Sequence, residues 1–445
     1  MRKYSPLFAL ALLAAVSASW ACTSGETPAE EQMNSGGGSQ AGAPATGTGG
    51  NTGKAGSTGT AGGASPAAGG SVSGSAGATS AAGSSGAAGS SSGVRLGTGG
   101  PFAFPQNKKP GSCSLTSVSG ASTSVESAYS SWKNTFVTSS GAGTGLRVQR
   151  NTNANDTVSE GIGYGMIAAV YLDDKTTFDG LWAYAKGHFD ANGLMNWHID
   201  AGGNIESDGM GSASDGDEDM AWALLMASDQ WSSSTYLAEG VSVINAILTN
   251  SIAGDGMLKP GDAWGGTDVT YPDYFSPAYY RVFAKATNNP NWSGAIIDRN
   301  YAILAAVSGS DGLVPDKSSS SEAITGNYSY DACRTPWRIG MDYCFNAEPR
   351  AQAYLMKIGS FFNGVGASNI GDGYSPSGSQ TSSNHNMAFI GPAGVSGMAG
   401  FQTLLDGAYT FGANNSGGDT SYFGQSLRVL TMLMMSGNLV DFSKP

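Results

Sequence analysis

The chain has 445 residues, a formal net charge of −12 and only 13% Asp, Glu, Lys and Arg. An acidic balance of this kind argues against nucleic acid or an anionic membrane surface as partner, and a neutral ligand fits it better. The length could hold two or three average domains, but composition is divided too unevenly along the chain for that count to stand.

The N-terminus reads as an export signal: Met1 to Lys3 is cationic, Leu7 to Val16 is apolar but too short to span a membrane, and Ser19 to Cys22 closes it. Residues 1–21 are expected to be removed. The small residue before Cys22 resembles a bacterial lipobox, which would make Cys22 a lipid-bearing first mature residue and a membrane attachment point. Ser19 stands where that motif has an apolar residue, so plain secretion stays open. Residues 22–104 are mostly Gly, Ser, Ala and Thr, too poor in apolar surface to repay the entropy of ordering. This linker is expected to be a flexible tether. Its Gly-rich stretch 23–100, about 78 residues, spans on the order of 50 Å. Gly89 to Gly93 matches the G-x-S-x-G elbow, but no strand precedes it and no helix follows, so the match belongs to low complexity.

Residues 105–445 suit one large domain. Helical spacing recurs near 123–137, 160–172, 176–187, 217–231, 235–250, 276–287, 293–308, 335–345, 348–362, 380–390, 394–407 and 421–436. Period-2 alternation is scarce, so the fold class is all-α. The runs 165–172, 221–227 and 427–435 are apolar all round and belong inside, whereas 235–250 shows one apolar face and belongs outside. Six such pairs would close into a barrel of inner and outer helices; a solenoid would read similarly, although no fixed repeat appears.

In a charge-poor chain, Asp215, Asp217, Glu218 and Asp219 crowd the start of one apolar run. Calcium fails as the reason, because Met220 and Met226 occupy the Gly and Glu positions of an EF-hand loop counted from Asp215. Helix capping and complementing the helix dipole would suffice. A catalytic carboxylate is the other reading, and it needs partner acids. Glu160, before the glycines of GIGYG, and Asp331, ahead of Pro336, also stand at the mouths of apolar helices. Carboxylates gathered from distant parts of the chain suit glycoside hydrolysis. Helix N-termini favour ionised carboxylates, so whichever acts as acid needs burial or like charge to raise its pKa.

Other catalytic sets find little support. The histidines are His188, His198 and His385, without H-E-x-x-H, and neither a Walker loop nor a dinucleotide fingerprint occurs in the folded part. Trp197 and Trp264 lie in polar, Gly-bearing segments, where each could stack on a sugar or simply pack a loop; Trp222 and Trp337 fall within helices and read as packing. Beyond Cys22, Cys113, Cys333 and Cys344 are an odd number. On one unbroken helix Cys333 and Cys344 would stand about 16 Å apart, beyond the roughly 7 Å a bridge tolerates, and no pairing is assigned.

SEGIGYGM (159–166), ASDGDEDMAWALLMA (213–227) with Trp231, YFSPAYYR (274–281), YDACRTPWRI (330–339) and YFGQSLR (422–428), in that order, resemble the signatures of glycoside hydrolase family 8 over nearly all of 110–440. The resemblance implies an (α/α)6 barrel that hydrolyses β-1,4-linked polysaccharide with inversion, without cofactor or metal. Glu160 matches the general acid, Asp331 the general base of the cellulase-type subgroup, and Asp215 the acid that binds and distorts the sugar. Tyr330 and Arg334 match residues around the base, and Trp197 and Trp264 match stacking positions. Structural hydrogen bonding is expected of Asp217 and Asp219. The resemblance thus implies an endo-1,4-β-glucanase acting on cellulose or mixed-linkage glucan, and separately the chain is expected to be a monomer. A xylan-active enzyme of the same family and a non-catalytic polysaccharide-binding surface protein are the alternatives.

Overall fold

A computed structural model describes residues 102–322 and 324–444. The signal, Cys22 and almost all of the tether lie outside the described residues. Twelve α-helices run through the described part: α1 (Ala121–Phe136), α2 (Ser159–Tyr171), α3 (Lys175–Gly187), α4 (Ser214–Gln230), α5 (Ser234–Asn250), α6 (Pro277–Thr287), α7 (Ile297–Val307), α8 (Thr335–Asn346), α9 (Pro349–Val365), α10 (Met387–Gly397), α11 (Gln402–Asn414) and α12 (Tyr422–Met435). The even-numbered helices touch one another in a closed ring, α2 to α4 to α6 to α8 to α10 to α12 and back to α2. The odd-numbered helices lie outside, each burying one face. This is the (α/α)6 barrel.

Sequence explains the division. Every residue of α4, α10 and α12 is buried, and in α2 only Glu160 is partly exposed. Helices without a polar face must be enclosed. Across the ring, Trp222 of α4 stacks on Tyr279 of α6 at 4.5 Å, and Trp337 of α8 meets Tyr164 of α2 edge-on at 5.9 Å. Both tryptophans are packing residues. Asp174 and Ser233 cap the outer helices α3 and α5. The inner helices α2 and α4 have no side-chain cap; their first turns carry Glu160 and Asp215 instead.

Short strands tie the loops together. Val137–Thr138 pairs with Arg147–Val148, Thr157–Val158 with His198–Ile199, and Val269–Thr270 with Lys317–Ser319, all antiparallel. The pairing of Thr157 with Ile199 fixes the strand that leads into Glu160.

Three helices begin later than their spacing predicts. The segment expected at 380–390 is largely irregular, and α10 starts at Met387, where the Asn386 side chain accepts from the Ala388 N–H at 2.8 Å. Gly391 and Pro392 read as a break in sequence, yet α10 runs through Pro392 because its surroundings are wholly buried. This carries α11 onward to Gln402. Near 293–308 the chain makes a π-helical turn at Trp292–Ile296 before α7 begins.

The cysteine pairing is also settled here. Cys113 bonds to Cys344 near the end of α8, 231 positions away, with the Cα atoms 5.2 Å apart, and Cys333 is buried and free. Phe102 stacks on Phe442 at 4.2 Å, so residues 102–104 are packed along with the barrel.

Candidate active site

Glycines bring the first two acids together. A Cβ on Gly216 of α4 would lie 2.7 Å from the Ser159 carbonyl carbon, and one on Gly163 of α2 would lie 2.6 Å from Asp219 Cβ. Only glycine allows α2 and α4 to approach so closely. Glu160 and Asp215 therefore face the same point at the N-terminal rim of the barrel.

Arg334, the residue before α8, occupies that point and is 2% exposed. Its Nη1 donates to Glu160 Oε2 and, at 2.9 Å, to Asp215 Oδ2. Its Nη2 donates to Asp331 Oδ1 at 3.1 Å and forms an ion pair with Asp273 Oδ2 at 2.7 Å. One guanidinium thus gathers four carboxylates from α2, α4, the Pro272–Tyr274 turn and the segment leading to α8. A planar fork with several donors suits this task and a point charge does not. Tyr422, first residue of α12, donates to Glu160 Oε1 at 2.9 Å.

The acids differ in exposure. The Asp331 side chain is 42% exposed, that of Glu160 17% and that of Asp215 3%. Burial raises the pKa of Glu160; the Arg334 charge and the Tyr422 hydrogen bond oppose the rise, and Asp215 adds to it. Asp331 is pushed up to about 7, first by the protein crowded around it and then, against the pull of Arg334, by the negative charges of Asp316, Glu160 and Asp215. Its exposed side chain leaves part of that carboxylate in contact with water. Asp316 Oδ1 accepts from the Ser329 and Ala332 N–H groups at 3.0 and 2.9 Å, which fixes the turn carrying Asp331.

Behind this layer, the remaining acids of the α4 cluster brace the barrel. Arg338 grips both oxygens of Asp219, and Tyr279 adds a bond at 3.0 Å. Glu218 accepts from Tyr280 at 2.8 Å, and Asp217 from the Met195 N–H at 3.1 Å. Asp217 and Asp219 thus make the structural hydrogen bonds expected of them.

Aromatic rings extend from the carboxylates in both directions. Tyr274 lies 5.3 Å from the Arg334 guanidinium, Tyr271 stacks on Tyr274 at 5.1 Å, and Trp264 meets Tyr271 at 6.3 Å. On the other side Phe423 lies 5.7 Å from Arg334 and 6.2 Å from Tyr330, whose hydroxyl donates to Asp372 at 3.1 Å. Trp264 is half-buried, with its indole N–H held by the Ser212 carbonyl at 2.7 Å. Trp197 is also half-buried, and its carbonyl accepts from the Ser159 N–H at 2.9 Å, directly before Glu160. Every site residue expected from sequence therefore lies at this rim.

Sequence reasoning passed over Asp273 and Asp316 and gave Tyr422 no role. A signal existed for Asp273, which precedes an apolar helix opened by Pro277, the same placement that singled out Glu160 and Asp331. Asp316 lies in an irregular stretch, and only the fold brings it to the turn before α8.

Carboxylates of differing exposure, shared by one buried cation and flanked by ring faces on an (α/α)6 rim, define the class as glycoside hydrolase. Residues 103–437 match the pattern of Glycosyl hydrolases family 8, and the chain belongs to that family. It is 40% identical over 331 residues to Endoglucanase A of Acetivibrio thermocellus, covering 71% of this chain and 69% of that protein. It is 39% identical over 344 residues to Endoglucanase 2 of Ruminiclostridium josui, covering 74% of each. The apo structure of a β-1,3-1,4-glucanase from Paenibacillus sp. X4 superposes with a TM-score of 0.70 at 34% identity, covering 76% of this chain and 98% of that one. Rex8A from Paenibacillus barcinonensis, complexed with xylose, shares the fold at a TM-score of 0.61 and 21% identity, covering 72% of this chain and 94% of that one.

Proposed function

We propose that the protein is an exported endoglucanase that cleaves β-1,4-linked glucan, cellulose or mixed-linkage, with inversion at the anomeric carbon. The observation that carries this reading is the single Arg334 guanidinium holding Glu160, Asp215 and Asp331 at one rim. Glu160 is the general acid. Its burial favours the protonated form, and on protonation it releases Arg334 and donates to the glycosidic oxygen. Asp331 is the general base. Its exposed carboxylate holds a water, takes a proton from it and directs the oxygen at the opposite face of the sugar. Asp215, buried and fixed by Arg334, accepts from sugar hydroxyls and holds the ring distorted toward the transition state.

The printed activities of the relatives support glucan over xylan, and the half-buried rings of Trp264 and Tyr271, carried on buried Tyr274, support an extended substrate because each can offer a face to a sugar. The Cys113–Cys344 disulfide supports export, since such bonds persist in oxidising compartments. Whether Cys22 then carries lipid is read from the mass of the mature N-terminus; an unmodified Cys22 leaves the secreted form.

The deciding experiment is a panel of carboxymethylcellulose, lichenan, xylan, xylo-oligosaccharides and chitosan, with the anomer of the first product followed by NMR. Glucan cleavage giving the α-anomer is expected. Release from xylan alone, or a β-anomer, overturns the substrate or the stereochemistry respectively. Glu160→Gln and Asp331→Asn should each lose orders of magnitude in kcat with helical circular dichroism retained. Binding without hydrolysis by the native protein would make it a polysaccharide-binding surface protein instead.

A further inference from the structure

Trp264 is the third ring out from Arg334, after Tyr274 and Tyr271, and it stands on the irregular stretch between α5 and α6. A ring on such a stretch can serve as a platform only if something holds it still. The Ser212 peptide is gripped for this purpose at both ends. Trp264 Nε1 donates to the Ser212 carbonyl at 2.7 Å, and the Ser212 N–H donates to Asp262 Oδ1 at 2.8 Å. Asp262 Oδ2 accepts from Asn192 Nδ2 at 2.6 Å, and the Asn192 N–H donates to Asp190 Oδ1 at 2.8 Å. We infer that Asp262 is a positioning residue for substrate binding: it ties the loop after α5 to Ser212 and so fixes the Trp264 ring as a platform for the glucan chain, away from the cleaved bond. This rests on the reading of Trp264 as a sugar-stacking residue.

Two glycines shape the chain for this contact. A Cβ on Gly261 would lie 2.2 Å from both Trp264 Nε1 and the Ser212 carbonyl oxygen. One on Gly211, where φ is +82°, would lie 2.8 Å from Ala263 Cβ and 3.0 Å from Asp262 Oδ1. Without side chains there, the indole, the Ser212 peptide and Asp262 can meet. Burial would raise the Asp262 pKa, but its hydrogen bonds with Asp190, Ser212 and Asn192 outweigh burial and keep it ionised. Its bonds to Ser212 and Asn192 are therefore charge-assisted and strong. The near end of the same loop is anchored separately, at the mouth of α4. There the Ser214 N–H donates to the Pro260 carbonyl at 3.0 Å and the Ser214 hydroxyl to the Lys259 carbonyl at 2.8 Å. Loss of Asp262 should therefore loosen Trp264 and leave Asp215, on the anchored helix, where it is.

The test is steady-state kinetics of the full chain on soluble mixed-linkage glucan, for the native protein, Asp262→Ala, Trp264→Ala and the double variant. Asp262→Ala should raise KM about tenfold, the scale of one lost ring contact, and leave kcat within about twofold, because a distal platform binds ground state and transition state alike. Asp262→Asn keeps an oxygen for the Ser212 N–H and should restore most of the native KM. The double variant should be no worse than Trp264→Ala, since two residues acting through one contact are not additive. A native KM in Asp262→Ala, or a loss that adds in full to that of Trp264→Ala, overturns the inference. Should Asp262→Ala not fold, Asn192→Ala releases the other oxygen and should raise KM about threefold, the scale of one hydrogen bond; a native KM there overturns it equally. A native KM in Trp264→Ala would instead sink the reading of Trp264, so the two failures are distinguishable.

Discussion

Arg334 Nη1 donates to Asp215 Oδ2 at 2.9 Å, joining residues 119 positions apart at the centre of the rim. The same nitrogen holds Glu160, so one cation fixes acids from two inner helices. A lysine would supply the charge without the fork. Arg334→Lys should lower kcat by about 100-fold or more, comparable to loss of a preorganised donor. It should also destabilise the fold by about 3 kcal/mol or more, because Asp215 and Asp273 would be left buried without their full partner. Kinetics on lichenan and urea unfolding check both; an unchanged kcat would mean that the gathered carboxylates are not the site.

The close approach of α2 and α4 makes a second, geometric prediction. A Cβ on Gly216 would meet Ser159 at 2.7 Å and the Glu160 nitrogen at 2.9 Å. Gly216→Ala must push the helices apart, at a cost of about 1–3 kcal/mol. Activity should fall further than stability suggests, by about 100-fold, because displacement on the order of 1 Å separates Glu160 from Asp215. Gly187→Ala is the control, since nothing lies within 4 Å of its added carbon. Equal kinetics for the two variants would contradict the packing argument.

The disulfide should stabilise without catalysing. Cys113–Cys344 closes a loop of 231 positions, worth up to about 5 kcal/mol by chain entropy. Cys113→Ser should lower the urea midpoint while kcat under native conditions stays within about twofold, since residue-level effects away from the site are small. Denaturation with and without reductant should differ for the native protein and coincide for the variant.

Stability should also depend on pH through His198. Its Nε2 faces Asp156 and its Nδ1 faces Asp208, each at 2.9 Å. Burial alone would lower its pKa, but these two hydrogen bonds outweigh burial and raise it. A folded-state value above the unfolded one means the stabilisation is fully present below the unfolded value of about 6.5 and is lost as pH rises through the folded one. The gap in urea midpoint between the native protein and His198→Asn should therefore be largest below pH 6.5 and shrink toward alkaline pH. A gap that widens with pH would mean that His198 is held neutral.

Much of the architecture was legible because α2, α4 and α12 carry runs that are apolar all round, so periodicity alone placed them inside. The boundaries of α10 and α11 were not, since Gly391–Pro392 breaks a helix in isolation while burial on all sides keeps one intact. The acids of the site were legible by their shared position before apolar helices. Asp273 had the same placement, but a single carboxylate beside Pro272 carries no hint that Arg334 would be delivered to it.

The sequence by itself determined an all-α fold, the family of the domain and the placement of Glu160, Asp215 and Asp331 just ahead of apolar helices, because local spacing and motif order survive without coordinates. Tertiary structure alone decided that one guanidinium binds four carboxylates, that Cys113 rather than Cys333 pairs with Cys344, and that Asp217, Glu218 and Asp219 brace helices behind the cleft. These depend on groups from different elements, as far apart as the 119 positions between Asp215 and Arg334 and the 231 between the bonded cysteines, meeting in a low-dielectric interior. There the strength of a charge contact follows distance and burial, neither of which a linear pattern encodes.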